Sequence, residues 1–143
     1  MADDCCYHEP DALRASWSIQ EAASARGFDW PDIHGVFAKV REELEEIEQA
    51  WRHHDRAQAR RELGDLLFAT VNLARFLETE PSAELHSANR RFYVRFERLK
   101  EELALEGREL EQCTLAELDV VWERVKRAMK DALKNDRARI QVG

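Results

Sequence analysis

The sequence predicts an all-α protein, a bundle of about four to five helices, and three observations carry that prediction. Of its 143 residues 36% are charged and 44% hydrophobic, with only 5 Gly and 3 Pro, a balance typical of helical globular chains. Apolar residues recur at helical spacing in successive stretches that begin at capping residues and stop at Gly or Pro. No stretch alternates convincingly with the period of two that a half-buried strand requires.

The length predicts one domain, residues 11–134, between a flexible lead-in at 1–10 and a charged, aperiodic tail at 135–143. Asp11 is placed to cap a helix over 12–26, with Leu13, Trp17, Ile19 and Gln20 near one side and Gly27 as its stop. Gly27-Phe28-Asp29-Trp30-Pro31 forms an aromatic turn. Its default role is to plug the end of a core, and its alternative role is to stack on a nucleobase.

A second helix is expected from near Asp32 to the polar connection Trp51-Arg52-His53-His54-Asp55, and a third from Arg56 to Glu78. From Leu66 to Leu77 the third is apolar nearly all the way round, which calls for a central position or an oligomer interface. So short a chain has difficulty covering such a helix alone, and a homodimer is expected. Pro81 suits the opening of a fourth helix, about 82–106, which Gly107 ends. Thr114-Leu115-Ala116-Glu117 is a capping box opening the last helix, to about Lys134, with Leu118, Val121, Trp122, Val125 and Met129 as its stripe.

The chemistry is concentrated on the second and third helices. Glu42-Glu43-Leu44-Glu45-Glu46 and Glu62-Leu63-Gly64-Asp65 each carry acids three residues apart, on one helical face. At about 100° per residue, Glu43 falls inside the stripe of Val36, Val40, Leu44, Ile47 and Trp51, with Glu46 at its margin. Glu62 shares a sector with Leu66, Ala69, Leu73 and Phe76, and Asp65 and Asn72 follow its edge. Glu42, Glu45 and Glu48 read as a solvated face. Inward carboxylates are costly unless paired or bound to a metal, and four of them would repel one another. All-oxygen ligation points to Mg²⁺, or Mn²⁺, rather than Zn²⁺.

Composition excludes several other classes. A net charge of −7 disfavours nonspecific binding to nucleic acid or to an anionic membrane. No apolar run approaches a membrane span, and Met1-Ala2-Asp3-Asp4 does not open a signal peptide, so a cytoplasmic location is expected. Cys5, Cys6 and Cys113 fit neither a disulfide framework nor zinc spacing; Cys5, Cys6 and His8 read as a frayed tail with free thiols. None of the five His has Glu three residues before it, which argues against a ferritin-like di-metal oxidase. Without a glycine-rich phosphate loop, phosphate binding must rest on metal and side chains. Arg91 and Arg95, one helical turn apart, are suited to phosphate oxygens, while Arg90 and Arg98 read as partners for the many Glu.

These residues carry a family resemblance. Glu-Glu-x-x-Glu at 42–46 followed by Glu-x-x-Asp at 62–65 resembles the signature of the MazG family of nucleoside triphosphate pyrophosphohydrolases. Gly27-Phe28-Asp29-Trp30, the run from Gly64 to Arg75, Ala88-Asn89 with Phe92 and Phe96, and Val121-Trp122 with Val125-Lys126 extend the likeness over roughly residues 12–130. The resemblance implies an all-α dimeric enzyme that hydrolyses nucleoside triphosphates to monophosphate and pyrophosphate with Mg²⁺. By position it makes Glu43, Glu46, Glu62 and Asp65 metal ligands, with Glu42, Glu43 and Glu62 as the catalytic acids. It directs Arg91, Arg95 and Lys126 to phosphates, and Asn89 and Trp122 to the nucleotide. Arg91 stands where the family can have Lys. The rival reading is a noncatalytic nucleotide-binding or structural dimerisation module, for which inward-facing charge has no use.

Overall fold

The computed structural model describes residues 10–140 and contains five helices: α1 (Ala12–Ala25), α2 (Ile33–Arg52), α3 (Arg56–Phe76), α4 (Pro81–Leu105) and α5 (Leu115–Ile140). Cys5, Cys6 and His8, with most of the expected lead-in, lie outside the described residues. No strand occurs among the described residues.

The helix starts follow from side-chain capping, which satisfies amide groups that have no partner within the helix. The Asp11 carboxylate accepts hydrogen bonds from the Leu13 and Arg14 amides at 3.0 and 3.3 Å. Asp32 accepts from the His34 amide at 2.8 Å and Asp55 from the Gln58 amide at 2.9 Å. The capping box before α5 forms, with Glu117 accepting from the Thr114 amide at 2.7 Å. Gly27 and Gly107 follow their helices at φ of 86° and 69°, a left-handed conformation that costs glycine little.

Three boundaries differ from the sequence expectation. Helix α3 ends at Phe76 because Glu78 turns left-handed, at φ 56°. A short 3₁₀ turn at Leu110–Gln112, held by a reciprocal Glu109–Gln112 capping box, interrupts the link to α5. Helix α5 runs to Ile140 rather than stopping at Lys134. Residues such as Ala and Arg favour helix without any apolar stripe, so the absence of periodicity there did not end it.

The chain forms two compact units, divided after His86. In the first, α2 and α3 pack closely as a hairpin and α1 packs on α3. Its buried apolar residues are small, Val36, Ala50, Ala69 and Val71, which lets the helices approach closely. Gln20, Glu43 and Glu62 are buried among them. The Gln20 amide nitrogen donates to the Phe68 carbonyl at 2.9 Å and ties α1 to α3. The apolar circumference of α3 is not fully covered within one chain: Leu67 and Phe68 are 52% and 44% exposed.

The second unit, residues 87–143, has a core of Leu99, Leu103, Val121 and Val125, against which Phe96, Leu118, Trp122 and Met129 pack. Arg124 donates to Glu106 at 2.9 Å, an ion pair between α5 and the end of α4.

Candidate active site

The α2–α3 hairpin brings three carboxylates together. One oxygen from each of Glu43, Glu62 and Asp65 lies within 4.8 Å of the other two. Glu43 and Glu62 are buried, at 3% and 7% exposure, and Asp65 stands at the exposed rim. Glu46, half-buried, is the neighbouring acid that most disfavours the charged form of Glu62. Burial and the neighbouring charges of Glu46, Glu43 and Asp65 together push the Glu62 pKa up.

One atom bears on whether these residues suit a cation: Oε2 of Glu43 is buried and has no hydrogen-bond partner. A buried carboxylate oxygen left unsatisfied is expensive, and an oxygen-only donor set suits a hard divalent ion. These residues therefore fit such an ion.

Polar neighbours hold the acids in place. Lys39 on α2 pairs with Oε1 of Glu43 at 2.5 Å and with Glu42 at 3.3 Å, and these contacts raise its pKa. Glu42 is more than half exposed and is not one of the three converging acids. The Gln58 amide nitrogen donates to Glu62, and Arg61 donates to the Gln58 oxygen at 3.1 Å from Nε. Sequence reasoning missed Lys39 and Gln58, although both stand one turn before an acid of the motif and that spacing was visible.

Beside the acids is a cavity of about 300 Å³ lined by Trp30, Lys39, Glu43, Asp65, Phe68 and Asn72. Trp30, Phe68 and Asn72 also line a cavity of about 470 Å³ that reaches Gln20, Phe28 and Arg75. The second cavity is mainly apolar and contains one unsatisfied acceptor, the buried Oε1 of Gln20. The indole of Trp30 rests on Gly35, where a built Cβ would come within 2.5 Å of the ring.

In the second unit, Arg91, Arg95 and Lys126 border one cavity of about 430 Å³, together with Arg127 and Lys130. The Arg95 Nε is buried without a partner. Arg91 donates to Ser87 at 2.8 Å, and Lys126 pairs with Glu123 at 2.9 Å. Trp122 packs on Phe92 with ring centroids 5.4 Å apart. Asn89 is exposed on α4 and does not line that cavity.

Comparison with known proteins bears on the family. Residues 32–104, which contain all four acids of the motif, match the MazG nucleotide pyrophosphohydrolase domain. A Thermotoga maritima protein named nucleoside triphosphate pyrophosphohydrolase/pyrophosphatase MazG is 43% identical over 115 residues, covering 80% of this chain and 44% of the relative. An Escherichia coli K12 protein named nucleoside triphosphate pyrophosphohydrolase is 39% identical over 127 residues, 87% of this chain and 48% of the relative. The chain thus spans less than half the length of these relatives. With the motif acids gathered in an all-α hairpin and the match extending over half the chain, this protein belongs to the MazG nucleotide pyrophosphohydrolase family.

Proposed function

We propose that this chain hydrolyses nucleoside triphosphates, ribo- or deoxyribo- and canonical or modified, to the monophosphate and pyrophosphate, with Mg²⁺ or Mn²⁺ as cofactor. The observation that carries the reading is the buried, unpartnered Oε2 of Glu43, on a carboxylate that converges with those of Glu62 and Asp65. Glu43, Glu46, Glu62 and Asp65 would hold the ion. When bound there, it supplies charge neutralisation for the triphosphate and lowers the pKa of the attacking water.

The chain's own side chains have distinct tasks in this proposal. Glu43 and Glu62 fix the reacting centre, Gln58 holds Glu62 in place, and Glu42 acts as an outer acid through its contact with Lys39. Phe28 and Trp30 offer aromatic faces to a base, whose N–H groups the orphan oxygen of Gln20 can accept. The family resemblance assigns phosphate oxygens to Arg91, Arg95 and Lys126, which border one cavity of the second unit, and the nucleotide to Asn89 and Trp122.

The assembly we infer is a homodimer, because Leu63 and Leu67 leave an apolar stripe of α3 exposed in the single chain. Among the described residues no helix is long and apolar enough to cross a membrane. The low cysteine content fits the cytoplasm, and the net charge of −7 argues against nucleic acid or a membrane as a partner.

The test is pyrophosphate release from a panel of canonical, deoxy and modified triphosphates with Mg²⁺, comparing wild type with Glu62→Gln. Release of pyrophosphate and monophosphate that collapses in the folded variant supports the proposal. An inert wild type that still binds nucleotide would replace it with a noncatalytic binding module.

A further inference from the structure

The cavity of about 470 Å³ shares Trp30, Phe68 and Asn72 with the smaller cavity that Glu43 and Asp65 border, so a molecule held in the first can extend toward the acids. Two amide side chains line the larger cavity, Gln20 and Asn72, and each has one end committed. The Nε2 of Gln20 donates to the Phe68 carbonyl at 2.9 Å, while its Oε1 is buried without a partner. Turning that amide over would set Oε1 against the carbonyl, oxygen to oxygen, so the bond fixes Gln20 as an acceptor. Gln20 is only 6% exposed, and an orphan acceptor at that depth is costly unless a ligand supplies a donor. Asn72 is the converse. Its Oδ1 accepts from Arg75 at 3.0 Å from Nε and 2.8 Å from a terminal nitrogen, which leaves its Nδ2 to donate. Arg75 and Asp29 are engaged with each other, and the remaining lining is largely apolar.

We propose that Gln20 and Asn72 are the pair that determines base specificity, Gln20 accepting from a base N–H and Asn72 donating to the ring nitrogen or carbonyl beside it. Each standard base carries such a donor next to such an acceptor, so the pair admits all of them and rejects a base that has lost either group. The apolar lining takes the faces of the ring, and the two amides take its edge. This assignment rests on the triphosphate hydrolysis proposed above.

The test compares triphosphates that differ by one group. ATP and CTP are set against their analogues without the exocyclic amino group, dTTP against N3-methyl-dTTP, and ATP against 1-deaza-ATP, which keeps the amino group and lacks the ring acceptor. In wild type each loss should lower kcat/KM for pyrophosphate release by about ten- to hundredfold, chiefly through KM, because one amide is left unpaired. Gln20→Met should bring each N–H-deficient analogue to within about threefold of its normal counterpart, and Asn72→Leu should do so for 1-deaza-ATP alone. A glutamine that merely ties α1 to α3 would lower both members of a pair alike and leave their ratio unchanged. The wild-type ratios stand whether or not the variants fold.

Pyrophosphate released equally well from both members of every pair by wild type overturns the base reading and leaves the hydrolase standing. Discrimination that survives in Gln20→Met takes the donor reading away from Gln20, and 1-deaza-ATP hydrolysed as well as ATP takes the acceptor reading away from Asn72. No release from any triphosphate overturns the hydrolase, and the base reading with it.

Discussion

Arg75 on α3 forks onto Asp29 in the turn after α1, with its two terminal nitrogens 2.9 and 2.5 Å from the two carboxylate oxygens. Ser24 donates to the same carboxylate at 2.6 Å, and Asn72 accepts from the Arg75 Nε at 3.0 Å. The aromatic turn is thereby fixed to the helix that carries Glu62 and Asp65. The Arg75 guanidinium is the main reason that the Asp29 pKa is lowered to about 2.

A carboxylate with a depressed folded-state pKa stabilises the fold above its unfolded value and loses that contribution as pH falls. For Asp29 the loss runs from about pH 4 down through about 2. Its side chain is 23% exposed, so solvent screens the pair and its contribution is about 1 kcal/mol. Asp29→Asn should therefore be less stable by about 1 kcal/mol at pH 7, with the difference fading toward pH 2. Urea denaturation at pH 7, 4 and 2.5 checks this. A constant difference across that range would mean that packing, rather than the charge, is responsible.

The Arg75–Asp29 pair also marks where the sequence stopped being legible. Helix starts at Asp11 and Asp32, the stops at Gly27 and Gly107, and the inward phase of Glu43 and Glu62 are all encoded within a turn or two of chain. Period and capping reveal such features. Arg75 and Asp29 are 46 positions apart, and Gln20 meets the Phe68 carbonyl across 48. No local pattern encodes those partners. Lys39 was obscured for another reason: on a helix crowded with Glu it resembles any solvated lysine until its partner is seen to be buried.

Glu62→Gln separates stability from activity. Burial and three neighbouring acids already disfavour the ionised form of Glu62, so replacing it by a neutral isostere relieves repulsion. The variant should melt at a higher temperature than wild type in EDTA at pH 7.5, and should gain less from added Mg²⁺. Its pyrophosphate release should fall by at least about a hundredfold. Paired melting curves and a coupled phosphate assay measure both effects, and a variant less stable than wild type in EDTA would contradict the repulsion argument.

Gly35 controls Trp30. Alanine is the better helix former by about 1 kcal/mol, but its Cβ would lie 2.5 Å from the indole Cε3, so the ring must move. Trp30 lines two cavities of the first unit, one of which is bordered by Glu43 and Asp65. Gly35→Ala should raise KM for the triphosphate by about three- to tenfold while changing kcat less, since the displaced ring affects base binding more than the reacting phosphates. An equal fall in kcat with KM unchanged would remove Trp30 from the base site.

Gly64 offers a test of the dimer on the face that the single chain leaves open. A Cβ built there meets nothing within 4 Å, so in an isolated chain Gly64→Ala would stabilise α3 by about 1 kcal/mol. Its neighbours Leu63 and Leu67 are 49% and 52% exposed. Where those side chains remain in water, Leu67→Glu should cost no more than about 0.5 kcal/mol. If a second copy covers the stripe, the introduced carboxylate must be buried without a partner, and association should weaken by at least about a hundredfold. Sedimentation velocity over a concentration series should then show wild type at twice the chain mass and Leu67→Glu as a monomer. The gain from Gly64→Ala should appear fully only in that monomeric background, because the added methyl would meet the partner in the dimer. Equal behaviour of the two backgrounds would place the interface on a different face of the molecule.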